Sequence, residues 1–164
     1  TLTVLGALHR EQFQLGLTIP GRWVRSPADA EWATARGIRV RVVKGQWACP
    51  VQPDMDPATG FLAVVDQLAG KAREVAVATH DAALAREAFL RLRRAGTPCE
   101  LELLCGLPRA EVMAVAKEFD VPVRLYIPFG TAWLPYALGQ LVRKPHMWIW
   151  MVRDLWSAMR HSPA

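Results

Sequence analysis

At 164 residues and 52% hydrophobic content the chain holds enough apolar material for one packed domain, residues 1–164, and too little for two. Its net charge of +5 is spread over interleaved basic and acidic residues with no run of five like charges, which argues against a nucleic-acid partner and leaves solubility as the use of that charge. Cys49, Cys99 and Cys105 are odd in number and lack CxxC spacing, against both a disulfide framework and a zinc site, and no window of about 18 uncharged apolar residues or signal peptide occurs, so a cytoplasmic protein is expected.

The first apolar run, LGLTI at 15–19, reads as a strand buried on both faces, and Pro27 to Arg36 follows with helical spacing and Ser26 as its N-cap. RVRVVKG at 39–45 is the second strand. The connection QWACPVQPDMDPATG at 46–60 carries three prolines and ends in glycine, a long loop of the kind that builds sites after strands. A helix over Phe61 to Lys71 leads to the strand EVAVATH at 74–80, and a helix over Ala82 to Arg94, ending before Gly96, leads to CELELLCG at 99–106. Arg109 to Phe119 reads as helix, VRLYIPFG at 123–130 as the last strand, and Leu134 to Val142 as the last regular helix. From Met147 the chain turns Trp-rich, and Trp148, Trp150 and Trp156 suit either packing over one end of the fold or contact with a membrane surface.

Strand and helix alternate with a repeat of roughly 30 residues, the spacing of a βα unit, so a parallel α/β architecture is expected. A closed (β/α)8 barrel needs about 250 residues. Five strands therefore form either an open doubly wound sheet or part of a larger barrel, and open apolar edges on such an arc invite another chain.

In both architectures ligands bind at the C-terminal ends of the strands. The polar residues there are Arg41, Lys44, Gln46 and Trp47 at the second strand, Thr79, His80 and Asp81 at the third, Glu100 and Glu102 at the fourth, and Tyr126 at the fifth. Each has a structural alternative: His80 as a hydrogen-bonded core histidine, Arg41 and Lys44 as partners of Glu100 or Glu102 across an interior. Neither a GxGxxG or GxxxxGK phosphate loop, nor a GxSxG elbow, nor metal-ligand spacing among the four histidines is present.

In order, these motifs resemble the flavin-dependent proline dehydrogenases. RVRVVKGQW at 39–47 is similar to that family's R-L-V-K-G-A-Y, VATHD at 77–81 to A-T-H-N, and CELELLCG to F-E-F-Q-x-L-x-G. RLYIPFGTAWLPYALGQLVRKP at 124–145 is similar to R-V-Y-V-P-Y-G-x-x-W-x-P-Y-x-x-R-R-L-x-E-R-P, and PGRWVRSPADAEWA at 20–33 more weakly to Q-A-Y-L-R-R-T-x-A-D-L-E. The resemblance covers strands four to eight of the family's (β/α)8 barrel. It implies an FAD cofactor held by Arg41, Lys44, Trp47, Thr79 and His80, with Arg41 beside flavin N5. It also implies a substrate pocket lined by Tyr126 and Tyr136 and an amino-acid substrate, proline or a related cyclic or secondary amine, that gives hydride to N5. It further implies a second chain or missing segment that completes the barrel, and contact with the membrane for quinone reduction.

The sequence departs from the family where a carboxylate would be held. Gly139 and Gln140 stand in place of paired arginines, Arg143 in place of a glutamate, and Pro20 in place of a flavin-facing glutamine. A charged hydrogen bond to a buried carboxylate contributes about 1.5–3 kcal/mol, so the pair accounts for roughly two to four orders of magnitude in proline affinity. A relative that keeps the fold as a structural or regulatory subunit without proline oxidation is the alternative reading.

Overall fold

The computed structural model describes residues 2–10 and 15–127. Within them five helices and five strands alternate: α1 (Leu2–Arg10), β1 (Gly16–Pro20), α2 (Ser26–Thr34), β2 (Arg39–Val43), α3 (Pro57–Leu68), β3 (Val75–Ala78), α4 (Ala82–Arg94), β4 (Cys99–Leu104), α5 (Ala110–Glu118) and β5 (Val123–Tyr126). The strands form one all-parallel sheet in the order β1-β2-β3-β4-β5, with no reversal of the kind a doubly wound sheet requires. When every crossover runs to the next strand with the same right hand, all helices fall on one face. Helices α2, α3, α4 and α5 accordingly pack side by side in chain order.

The expected βα rhythm is present in four described units, β1–α2, β2–α3, β3–α4 and β4–α5, followed by β5. Under the helices lie Ile19, Val40, Val42, Val75, Val77, Leu101 and Leu103, all buried, together with Phe61, Val64, Val65 and Leu68 from α3 and Ala85, Ala88, Phe89 and Leu92 from α4. Each fully buried Leu, Val or Phe contributes about 1.5–3 kcal/mol. At the two ends of the sheet burial fails. No side chain described in α1 is buried, and all four residues of β5 are exposed, with Val123 at 39% and Leu125 at 42%.

Several boundaries differ from sequence expectation. Helix α1 precedes the first apolar run. Ser26 is the first helical residue rather than the cap: Arg25 occupies the cap position without a side-chain capping bond, its guanidinium donating to Asp29 instead, and buried Ser26 Oγ donates to the Pro20 carbonyl at 2.5 Å. Helix α3 begins a turn before Phe61 because Pro57 enters at its first position and Asp56 caps it, accepting from Thr59 N at 2.7 Å. The strand β2 stops at Val43, and the chain leaves through Gly45 at φ +90°, where a side chain would also meet Pro20 Cβ. The expected helix Leu134 to Val142 and the Trp-rich tail lie outside the described residues.

Helix α4 shows cap chemistry that pH can read. Asp81 Oδ1 accepts from Leu84 N at 3.0 Å while Oδ2 accepts from Lys44 Nζ at 2.7 Å. The Lys44 hydrogen bond first, then the Leu84 amide, hold the Asp81 carboxyl below its ordinary range. A carboxyl lowered by folding stabilises above its unfolded pKa, about 3.9, and loses that contribution as pH falls through the folded value. Replacing Asp81 by Ala is therefore expected to cost about 1 kcal/mol at pH 7 and progressively less as acid protonates the wild-type carboxyl, as urea unfolding at pH 7 and along an acid series would show.

Candidate functional site on the helix-free face

On the face opposite the helices, which carries no helix among the described residues, the sheet presents Thr18, Arg39, Arg41, Ala76, Ala78, Glu100, Glu102 and Arg124, which share that face because alternate strand residues point the same way. Glu100 and Glu102 are buried, at 5% and 7% exposure. Glu102 accepts from Arg41 Nε at 2.5 Å on one oxygen and from Arg39 Nη2 at 2.7 Å on the other. Glu100 accepts from Arg39 Nη2 and, at 2.9–3.1 Å, from Arg124 Nε and Nη2. The result is an alternating chain, Arg41–Glu102–Arg39–Glu100–Arg124, running across the sheet.

The three pairs that start on β2 must cross β3, since β2 and β4 are not neighbours. They do so because β3 offers only methyl groups on this face: Ala76 lies in register between Arg41 and Glu100, and Ala78 between Val43 and Glu102. Strands two apart are separated by about 9.6 Å, a gap that an arginine and a glutamate close together. Three guanidinium groups meet two buried carboxylates, and Glu74, 3.9 Å from Arg39 at the N-terminal end of the sheet, supplies a third, exposed one.

Of the expected site residues, the structure brings most to the C-terminal half of the sheet. Arg41 lies on β2, in ion-pair contact with Glu102. The alternative partnership of Lys44 with Glu100 or Glu102 does not form; Lys44 lies beyond the end of β2 and turns to Asp81 instead. Thr79 is buried and its Oγ1 accepts from Asp81 N at 3.2 Å. His80 Nδ1 sits 2.8 Å from the Pro108 carbonyl oxygen, while Nε2 accepts from Leu104 N at 3.0 Å. A carbonyl only accepts, so the proton is on Nδ1, and the imidazole ties the β3–α4 turn to the β4–α5 loop. Trp47 is 72% exposed, and its carbonyl accepts from Trp23 Nε1 at 3.2 Å. Tyr126, two residues from Arg124 and so on the same face, is 58% exposed at the sheet edge. Tyr136, Gly139, Gln140 and Arg143 lie outside the described residues.

Arg22 is a residue that spacing does not reveal. Its main-chain N–H donates to the Lys44 carbonyl at 3.2 Å, its side-chain stem lies against Gly45, and its Nε is buried with no hydrogen-bond partner among the described residues. Two hollows of about 500 Å3 lie away from this rim, one between α1 and α2 beside Trp32 and Arg36, the other at the N-terminal ends of β3 to β5. The rim itself forms one wall. Among the described residues no helix is long and apolar enough to cross a membrane.

Neither a protein-family model nor a curated protein matches this chain.

Proposed function

We propose that this chain is the later part of a (β/α)8 barrel that binds FAD and oxidises proline or a related cyclic or secondary amine. The remaining strands would come from a second chain or a segment outside residues 1–164. The observation that carries the reading is Arg41: on the helix-free face of a sheet whose strands run in chain order, it bonds among the described residues only through Nε, which leaves its four Nη hydrogens without a partner there. Sequential strand order with one helix layer suits an arc of a barrel, and the resemblance implies a flavin at this position.

The donor set fits such a cofactor in part. Arg41 offers positive charge, Trp47 an exposed aromatic face and Tyr126 a phenol on the same side of the sheet as Arg41. Lys44 and His80 are engaged by Asp81 and by main chain, so they would shape the wall through those partners. Bound FAD supplies a two-electron acceptor for the hydride on the substrate carbon next to nitrogen. Arg41 would stabilise negative charge gathering opposite its guanidinium, which is worth more where water is excluded. The same engagement of Lys44 and His80 favours the second reading, a structural or regulatory subunit that has kept the fold without the chemistry.

Purified together with any chain that accompanies it, the protein is expected to be yellow with oxidised flavin and to bleach anaerobically on addition of L-proline. A colourless protein that takes up no added FAD overturns the proposal in favour of the structural subunit. Colour that L-proline leaves unchanged keeps the cofactor and eliminates proline as substrate. The proposed membrane contact rests on Trp148, Trp150 and Trp156, and vesicle co-sedimentation tests it separately.

A further inference from the structure

We infer that Glu102 is a positioning residue whose work is to aim Arg41, and that Arg41 is a guanidinium the charged face presents to a bound ligand. The three arginines are held differently. Arg124 lies on the edge strand and spends Nε and Nη2 on Glu100. Arg39 divides Nη2 between two carboxylates and also lies 3.9 Å from Glu74 at the N-terminal end of the sheet. Arg41, on an interior strand and nearer the C-terminal rim, is fastened among the described residues at Nε alone.

A planar guanidinium fixed at Nε cannot turn about its stem, so its terminal nitrogens hold one direction. Glu102 can impose that direction because it is itself fixed: its side chain is 8% exposed, and its second oxygen is held by Arg39. The ligand that such a group takes is electron-rich or anionic, because a guanidinium is positively charged and its terminal N–H groups only donate. The identity of that ligand as flavin rests on the proposed function; the aiming of Arg41 by Glu102 does not.

The test uses the full chain with any accompanying chain, reading the arginine Nε–H resonances by 15N-edited spectroscopy, with Arg41→Lys assigning the Arg41 signal. In the wild type this proton is expected to exchange with water at least about tenfold more slowly than those of exposed arginines, as a charge-assisted bond requires. In Glu102→Gln the slow exchange is lost at Arg41, whereas Glu100→Gln, which removes the partner of Arg124, leaves the Arg41 signal in place. FAD affinity, measured by fluorescence quenching, is expected to fall about tenfold in Glu102→Gln, the scale at which outer-sphere partners of a ligand-holding group act.

Should Glu102→Gln fail to fold, Glu102→Asp keeps the charge one methylene short and should move the Arg41 resonance in a folded protein; an unmoved resonance overturns the inference. It is equally overturned if Glu102→Gln changes neither signal nor affinity, or if Glu100→Gln disturbs Arg41 as much. If no variant or wild type binds FAD, the flavin reading fails, and the resonances alone decide the role of Glu102.

Discussion

Gly60→Ala is expected to destabilise the protein by about 3 kcal/mol or more, lowering Tm by roughly 6–12 °C, because the added methyl has nowhere to go. A Cβ built at Gly60 would overlap the Gly21 carbonyl oxygen, stand 2.9 Å from its carbon and press on Met55 Sδ at 3.2 Å. From the other side, a Cβ at Gly21 would meet Phe61 Cα at 2.6 Å and the Gly60 carbonyl carbon at 2.9 Å. These neighbours are mostly main chain, which cannot rotate away as a side chain does. The contact fastens the end of β1, where Gly21 N donates to the Val43 carbonyl at 2.7 Å, to the first turn of α3. Relief would require α3 to lift, and Phe61, Val64, Val65 and Leu68 are all fully buried beneath it. Gly16→Ala is the control: the nearest atom to its Cβ is the Arg39 carbonyl oxygen at 3.8 Å, so a change within about 0.5 kcal/mol is expected. Thermal unfolding of the two variants checks both.

How far the sequence discloses this architecture depends on whether local signals agree. Helix α4 is found to the residue because Asp81 before it, Gly96 beyond it and apolar spacing at Leu84, Ala85, Ala88, Phe89 and Leu92 all point one way. Helix α3 is legible only from Phe61 by apolar spacing, although Asp56 followed by Pro57 is itself a cap signal; three prolines between 46 and 60 make the whole stretch read as loop. Ser26 is preferred as a cap by residue type, yet tertiary structure draws its hydroxyl to Pro20.

The site is legible in type and obscure in pairing. Arginines and glutamates at alternate positions of RVRVV and CELELL place opposite charges on one face, and Arg41 does meet Glu102. That the meeting happens across β3 depends on Ala76 and Ala78, and a run such as VAVA reads simply as a buried strand, hiding the role of its alanines as spacers. Lys44 reaches Asp81 because β2 ends at Val43, two residues before the expected strand does, and because alternation gives Lys44 the parity of Val40 and Val42 rather than that of Arg39 and Arg41. The resemblance that assigns a flavin draws on Tyr136, Gly139 and Gln140 as well, and those lie outside the described residues.

Glu102→Ala should cost about 3 kcal/mol, the low end of the range for removing one partner of a buried ion pair, because the guanidiniums of Arg39 and Arg41 remain under a sheet-borne charge they no longer balance. Both arginine side chains are about one-third exposed, so part of each can turn to water, which holds the loss to that lower figure. The informative companion replaces the charges together: Arg39→Met, Arg41→Met and Glu102→Met in one chain. Taking two cations and an anion out of water costs several kcal/mol per ion, and their attraction only about repays it, so an apolar trio of similar size is expected to recover most of the stability lost in Glu102→Ala. Chemical unfolding midpoints, with unchanged slope on denaturant, would show this recovery. If it occurs, folding does not require the ionic chain across β3, and its presence is explained by what Arg41 does at the rim. If the trio unfolds as readily as Glu102→Ala, the charges are structural, and the subunit without flavin chemistry gains the stronger claim.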